Sequence, residues 1–119
     1  MLLSTQTHVM VERFGLFDGI RLLMDAGYPA LDLTMFAGND FLFDPDMRSI
    51  AMKLKAMADE RGVIFNQAHA PFGGGYDHYT NHLLPLMPKV FEFAACLGIR
   101  QVVVHPLQKG RYYGREAEL

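Results

Sequence analysis

Five histidines, one strand-embedded carboxylate and a run of three glycines are the residues of this chain whose types and spacing suit chemistry. His69 stands in Gln67-Ala68-His69-Ala70-Pro71-Phe72, where an apolar stretch delivers an imidazole and Pro71 halts further sheet pairing. His105 precedes Pro106 in the same way. A neutral imidazole can bind a hydroxyl or a metal ion, and it titrates near neutrality, so it can also move a proton. His69 and His105 are therefore the candidate catalytic residues. His8, Asp32, Phe36 and Phe72 fall at neighbouring positions as candidate substrate contacts. Asp32 alternates with Leu31 and Leu33, which aims it either at a structural hydrogen-bond anchor or into a site.

Other motifs carry less chemistry. His78 and His82 have the i, i+4 spacing of a helical metal pair, but no Glu follows His78 in the metalloprotease manner, and Asp77 suits a helix cap. The histidines are expected in or just after a loop. Gly73, Gly74 and Gly75 have neither the lysine of a phosphate loop nor dinucleotide spacing, so they read as a flexible loop crossing the site. Cys96 sits in an apolar helical pattern as a small hydrophobe, the eight methionines fill cores, and Tyr112 and Tyr113 either close over a ligand or decorate a loop.

The elements that must hold these groups come in a repeated phrase. An amphipathic helix ends in glycine and an apolar strand follows, turning at Gly27, Gly62 and Gly98, 35 and 36 residues apart. The first copy runs from Leu16 through Met24 to a strand at Ala30 to Phe36. In the second, Asp44 and Pro45 start a helix with Ile50, Ala51, Leu54, Met57 and Ala58 buried, and the strand is Val63 to Ala68. The third has Leu83 to Ala94 as helix and Gln101 to His105 as strand, where Val102, Val103 and Val104 suggest cover on both faces. With an opening strand at Leu2 to Thr7, the expectation is α/β: a partial (β/α)8 barrel of about four parallel strands and three helices. All five histidines then fall on the C-terminal side of the strands, where such folds gather working groups. A doubly wound sheet is the alternative, although Ser4 to Met10 lacks the glycine that nucleotide-binding versions use in the first turn.

Composition sets the limits. The chain has 119 residues, half of them hydrophobic, and a net charge of -2. One domain spanning 1–119 is expected, with no basic field for nucleic acid. No apolar run reaches membrane-spanning length and no signal peptide is visible, so a soluble, cytoplasmic protein is expected. Lys109 to Leu119 reads as a loop leading onward, which makes the domain look truncated, and the open sheet edges favour self-association.

The chain resembles the xylose isomerase-like barrels, which include sugar phosphate isomerases, epimerases and apurinic endonucleases. The resemblance covers nearly the whole chain and rests on Ala26-Gly27-Tyr28-Pro29-Ala30-Leu31-Asp32-Leu33, on His69-Ala70-Pro71, and on Leu97-Gly98 leading to Val103-Val104-His105-Pro106. The family often places Glu where Asp32 stands. The resemblance implies isomerisation or epimerisation of a sugar or sugar phosphate, with a divalent metal (Mn, Mg, Co or Zn) assisting proton transfer next to a carbonyl. Its metal ligands would come from strands of a second half, leaving His69 and His105 to orient the substrate. In the endonuclease branch these two histidines would themselves be ligands, and a catalytically silent fragment is a third expectation.

Overall fold

The computed structural model describes residues 2–36 and 39–106. The order of elements is β1 (Ser4–Gln6), α1 (His8–Phe14), α2 (Leu16–Asp25), β2 (Ala30–Thr34), a 3-10 turn (Asn39–Phe43), α3 (Met47–Arg61) and β3 (Ile64–His69). There follow α4 (Tyr76–His78), a π-helical turn (Tyr79–Leu83), α5 (Leu84–Cys96) and β4 (Val102–Val103). The fold is α/β with one sheet, in which β1, β2, β3 and β4 lie side by side in chain order and all pair in parallel. Lys109–Leu119, with Tyr112 and Tyr113, lies outside the described residues.

The three glycine turns lie where the repeat places them. Gly62 is left-handed at φ 67°, the Val63 amide reaches back to the Ala58 carbonyl at 2.9 Å, and the Gly62 amide to Asp59 at 3.2 Å. This 6→1 and 5→2 pair absorbs carbonyls that the end of α3 leaves open, and a side chain at residue 62 would strain it. Gly98 repeats the arrangement, with Ile99 bonded to Ala94 and Gly98 to Ala95.

Burial explains why the sheet is held. Every residue of β2 is buried. Leu31 and Leu33 pack with Ile20 and Met24 of α2, Leu54 and Ala58 of α3, and Val90 and Phe93 of α5. Removing such side chains from water, at roughly 25 cal/mol per Å² of apolar surface, is the main force fixing the helices to the sheet. Among the described residues, no helix is long and apolar enough to cross a membrane.

Three expectations need correction. The count of three helices misses the single turn α4 and also α1, which buries only Val11 and so has no apolar stripe to reveal it. Its N-cap residue, Thr7, makes no side-chain cap bond, because its hydroxyl is engaged with Thr34. His78 and His82 stand just after the glycine loop and are helical, and Gly75, not Asp77, is the N-cap of α4. Pro85, the second residue of α5, has no amide to offer the carbonyl of Asn81 and its ring crowds that group, which accounts for the wider π turn two residues before it. Finally, the valine run is not enclosed on both faces. Val102 and Val103 are half-buried and Val104 is 42% exposed.

Gly19 sets how closely α1 and α2 approach. A Cβ there would lie 2.4 Å from the Met10 carbonyl oxygen and 2.8 Å from the Val11 amide nitrogen, both backbone atoms that cannot swing aside. Gly19→Ala is expected to cost about 1–3 kcal/mol by overpacking, read as a lowered midpoint in thermal unfolding. An unchanged midpoint would mean that the two helices are free to separate.

Candidate functional site

Asp32 is the anchor of the site. It is 5% exposed, and each carboxylate oxygen has a partner: the Gln67 side-chain amide donates to Oδ2 at 2.7 Å, and His69 Nδ1 lies 2.9 Å from Oδ1. An ionised carboxylate only accepts hydrogen bonds. Nδ1 of His69 is therefore the donor, and a neutral His69 keeps its lone pair on Nε2, at the far side of the ring. That is the nitrogen a reactant would meet.

A backbone irregularity makes this contact possible. In strict alternation Phe65 and His69 would share a face. The register instead pairs Leu31 with Phe65 but Asp32 with Gln67, leaving Asn66 as an extra residue. Such bulges re-aim the side chains that follow them. Phe65 and Ala68 thus join the core under the helices, while Gln67 and His69 come to the face that carries Asp32.

A second tie holds the strand ends level. The Thr34 amide donates to Thr7 Oγ1 at 3.0 Å, and the two threonine hydroxyls are 3.2 Å apart in a buried pair. Thr34 is also the register partner of His69, and the Met35 amide donates to the His69 carbonyl at 2.9 Å. These bonds fix the first three strands to one another at the level of the imidazole.

Around His69 the rings run in series. His105 stacks beside it with centroids 5.8 Å apart, and Phe72 packs on His105 at 4.3 Å. Phe36 meets Phe72 edge-on at 5.0 Å, and His8 lies 4.9 Å from Phe36. No protein family, curated protein or solved structure matches the chain. All six site residues expected from the sequence are thus brought into one continuous cluster at the C-terminal ends of the strands. The glycine run contributes directly, since Gly73 and Gly74 take φ 104° and 75° in the loop that carries Phe72.

His78 and His82 are not part of the cluster's ring series and contact each other instead, at 5.2 Å. Gln67 and the two threonines were not expected as site residues. Gln67 lies two positions before His69, a spacing that signals a shared face, but nothing in the sequence marks the threonine pair. His8 Nδ1 is buried without a hydrogen-bond partner.

Among the described residues, no three His, Cys, Asp or Glu side chains gather as a metal-ligand group. Asp32 spends both oxygens inside the protein, and His69 spends one nitrogen on Asp32. The described residues make a carboxylate-oriented imidazole beside a second imidazole and an aromatic wall.

Proposed function

We propose that this chain forms the substrate-holding half of a (β/α)8 barrel that moves a proton next to the carbonyl of a sugar or sugar phosphate, as an isomerase or epimerase does. The observation carrying this is the Asp32–His69 pair, which keeps a basic nitrogen on an oriented ring at the strand ends. His69 Nε2 takes the proton from the carbon beside the carbonyl. His105, stacked beside it and carrying a proton, gives that proton to the carbonyl oxygen to form an enediol; His69 then returns its proton to the adjacent carbon while His105 takes the proton of the other hydroxyl, so both imidazoles end as they began. Phe36 and Phe72 offer ring surface to the C–H side of the sugar, and His8 borders that surface. Any divalent ion would draw its ligands from outside the described residues.

Two features support a barrel over a doubly wound sheet. The strands run β1-β2-β3-β4 without the reversal at which doubly wound sheets bind ligands. Ser4 of β1 also donates its hydroxyl to Asn66 Oδ1 of β3 at 2.9 Å, passing over Ala30 of β2. Strands two apart in a flat sheet are roughly 9.5 Å from each other, a gap that two short side chains bridge only if the sheet curls. Contact between residues of alternate strands is how barrel interiors fill.

The test is hydrogen exchange. Aldoses, ketoses and their phosphates incubated with the protein in D2O, with and without Mn, Mg, Co or Zn salts, are expected to take up deuterium at the carbon beside the carbonyl, seen as loss of that proton's NMR signal. Exchange at the buffer rate across the whole panel would overturn the proposal.

A further inference from the structure

We propose that two copies of the chain complete one eight-stranded parallel barrel, β4 of each copy pairing with β1 of the other about a two-fold axis along the barrel. This rests on the barrel reading above and goes beyond it by naming what fills the remaining half. Among the described residues β1 and β4 each have a neighbour on one side only. Four parallel strands in sequential order, repeated by such a rotation, stay parallel throughout and give eight, the number that closes this kind of barrel. Because both edges are used in each copy, neither is left exposed as a template for aggregation.

The side chains at the two ends of the layer agree. Beside β1, Leu3 is 62%, Phe14 48% and Phe17 37% exposed; beside β4, Val104 is 42%, Leu84 45% and Phe91 48% exposed. These lie on or next to the edge strands and on the terminal helices, α1 with α2 at one end and α5 at the other. Half-exposed side chains of this size, with the edge backbone between them, approach the ~800 Å² per partner of a standard interface. The middle helix, α3, shows one such residue, Met52. Phe43, Ile64 and Phe72 are also exposed away from the edges, but the larger share of the exposed apolar side chains stands at the two ends of the layer. The assembled mouth would carry His69 and His105 from each copy, so the partner contributes residues to the site.

The edge can be blocked without removing a hydrogen bond between β3 and β4. The amides of Ala68 and Ala70 donate to the carbonyls of Gln101 and Val103. In a parallel strand the residue between those two directs its amide and carbonyl the opposite way, so Val102 presents its own groups to the free edge. Val102→Pro removes one outward amide and no bond to β3. Sedimentation equilibrium of the full chain is expected to give twice the chain mass for the wild type and a single-chain mass for Val102→Pro with an unchanged circular dichroism spectrum. Should Val102→Pro fail to fold, Phe91→Glu, at an exposed helical position, is expected to weaken association at least tenfold. A monomeric wild type, or a dimer indifferent to both variants, would overturn the proposal. A monomer that still exchanges substrate protons removes only the dimer; a dimer without exchange removes only the proposed chemistry.

Discussion

Asp32→Asn is expected to lower the rate of substrate proton exchange by about 10²–10⁴-fold while leaving the fold in place. Aspartate offers two acceptors to two donors, Gln67 and His69. Asparagine has the same shape but one acceptor and one donating amide. If its oxygen stays with Gln67, its amide faces His69 Nδ1, which must then accept, and the imidazole proton moves to Nε2. The nitrogen that should take the substrate's proton already carries one. Nitrogen-15 NMR of neutral His69 reads this directly: Nδ1 protonated in the wild type, Nε2 protonated in the variant. An Nε2-protonated wild type, or full activity in Asp32→Asn, would remove Asp32 from its positioning role.

Phe93→Ala is the largest expected loss of stability, about 3–5 kcal/mol. Phe93 is wholly buried in α5, and its ring packs on Phe41 with centroids 4.6 Å apart, joining the last helix to the 3-10 turn that precedes α3. Truncation removes the apolar surface and leaves a void that a close-packed interior refills only in part. Chemical denaturation should show a lower midpoint at unchanged slope. A loss below ~1 kcal/mol would mean that Phe41 collapses into the space.

Much of the architecture was legible because it depends on local grammar. A glycine that ends a helix, followed at once by an apolar strand, needs no long-range information, and Gly27, Gly62 and Gly98 all take positive φ. The same grammar placed His69, His105, His8, Asp32, Phe36 and Phe72 at strand ends, and the structure gathers them. What escaped notice depends on partners distant in sequence. Thr7 looks like an ordinary residue between strand and helix until Thr34, 27 positions on, takes its hydroxyl.

Asn66, taken up in the bulge, bends the strand while leaving Phe65 and Gln67 on opposite faces. Were it deleted, Phe65 and Gln67 would follow in ordinary alternation, so the phenylalanine would still sit beneath the helices and the imidazole would still find its carboxylate. The loss would be of bend: bulged strands twist and arch more than regular ones, and Ser4 would have no partner across the intervening strand. A shortened chain would hold Asp32 and His69 on a flatter surface, one whose two margins the proposed closure could no longer bring together.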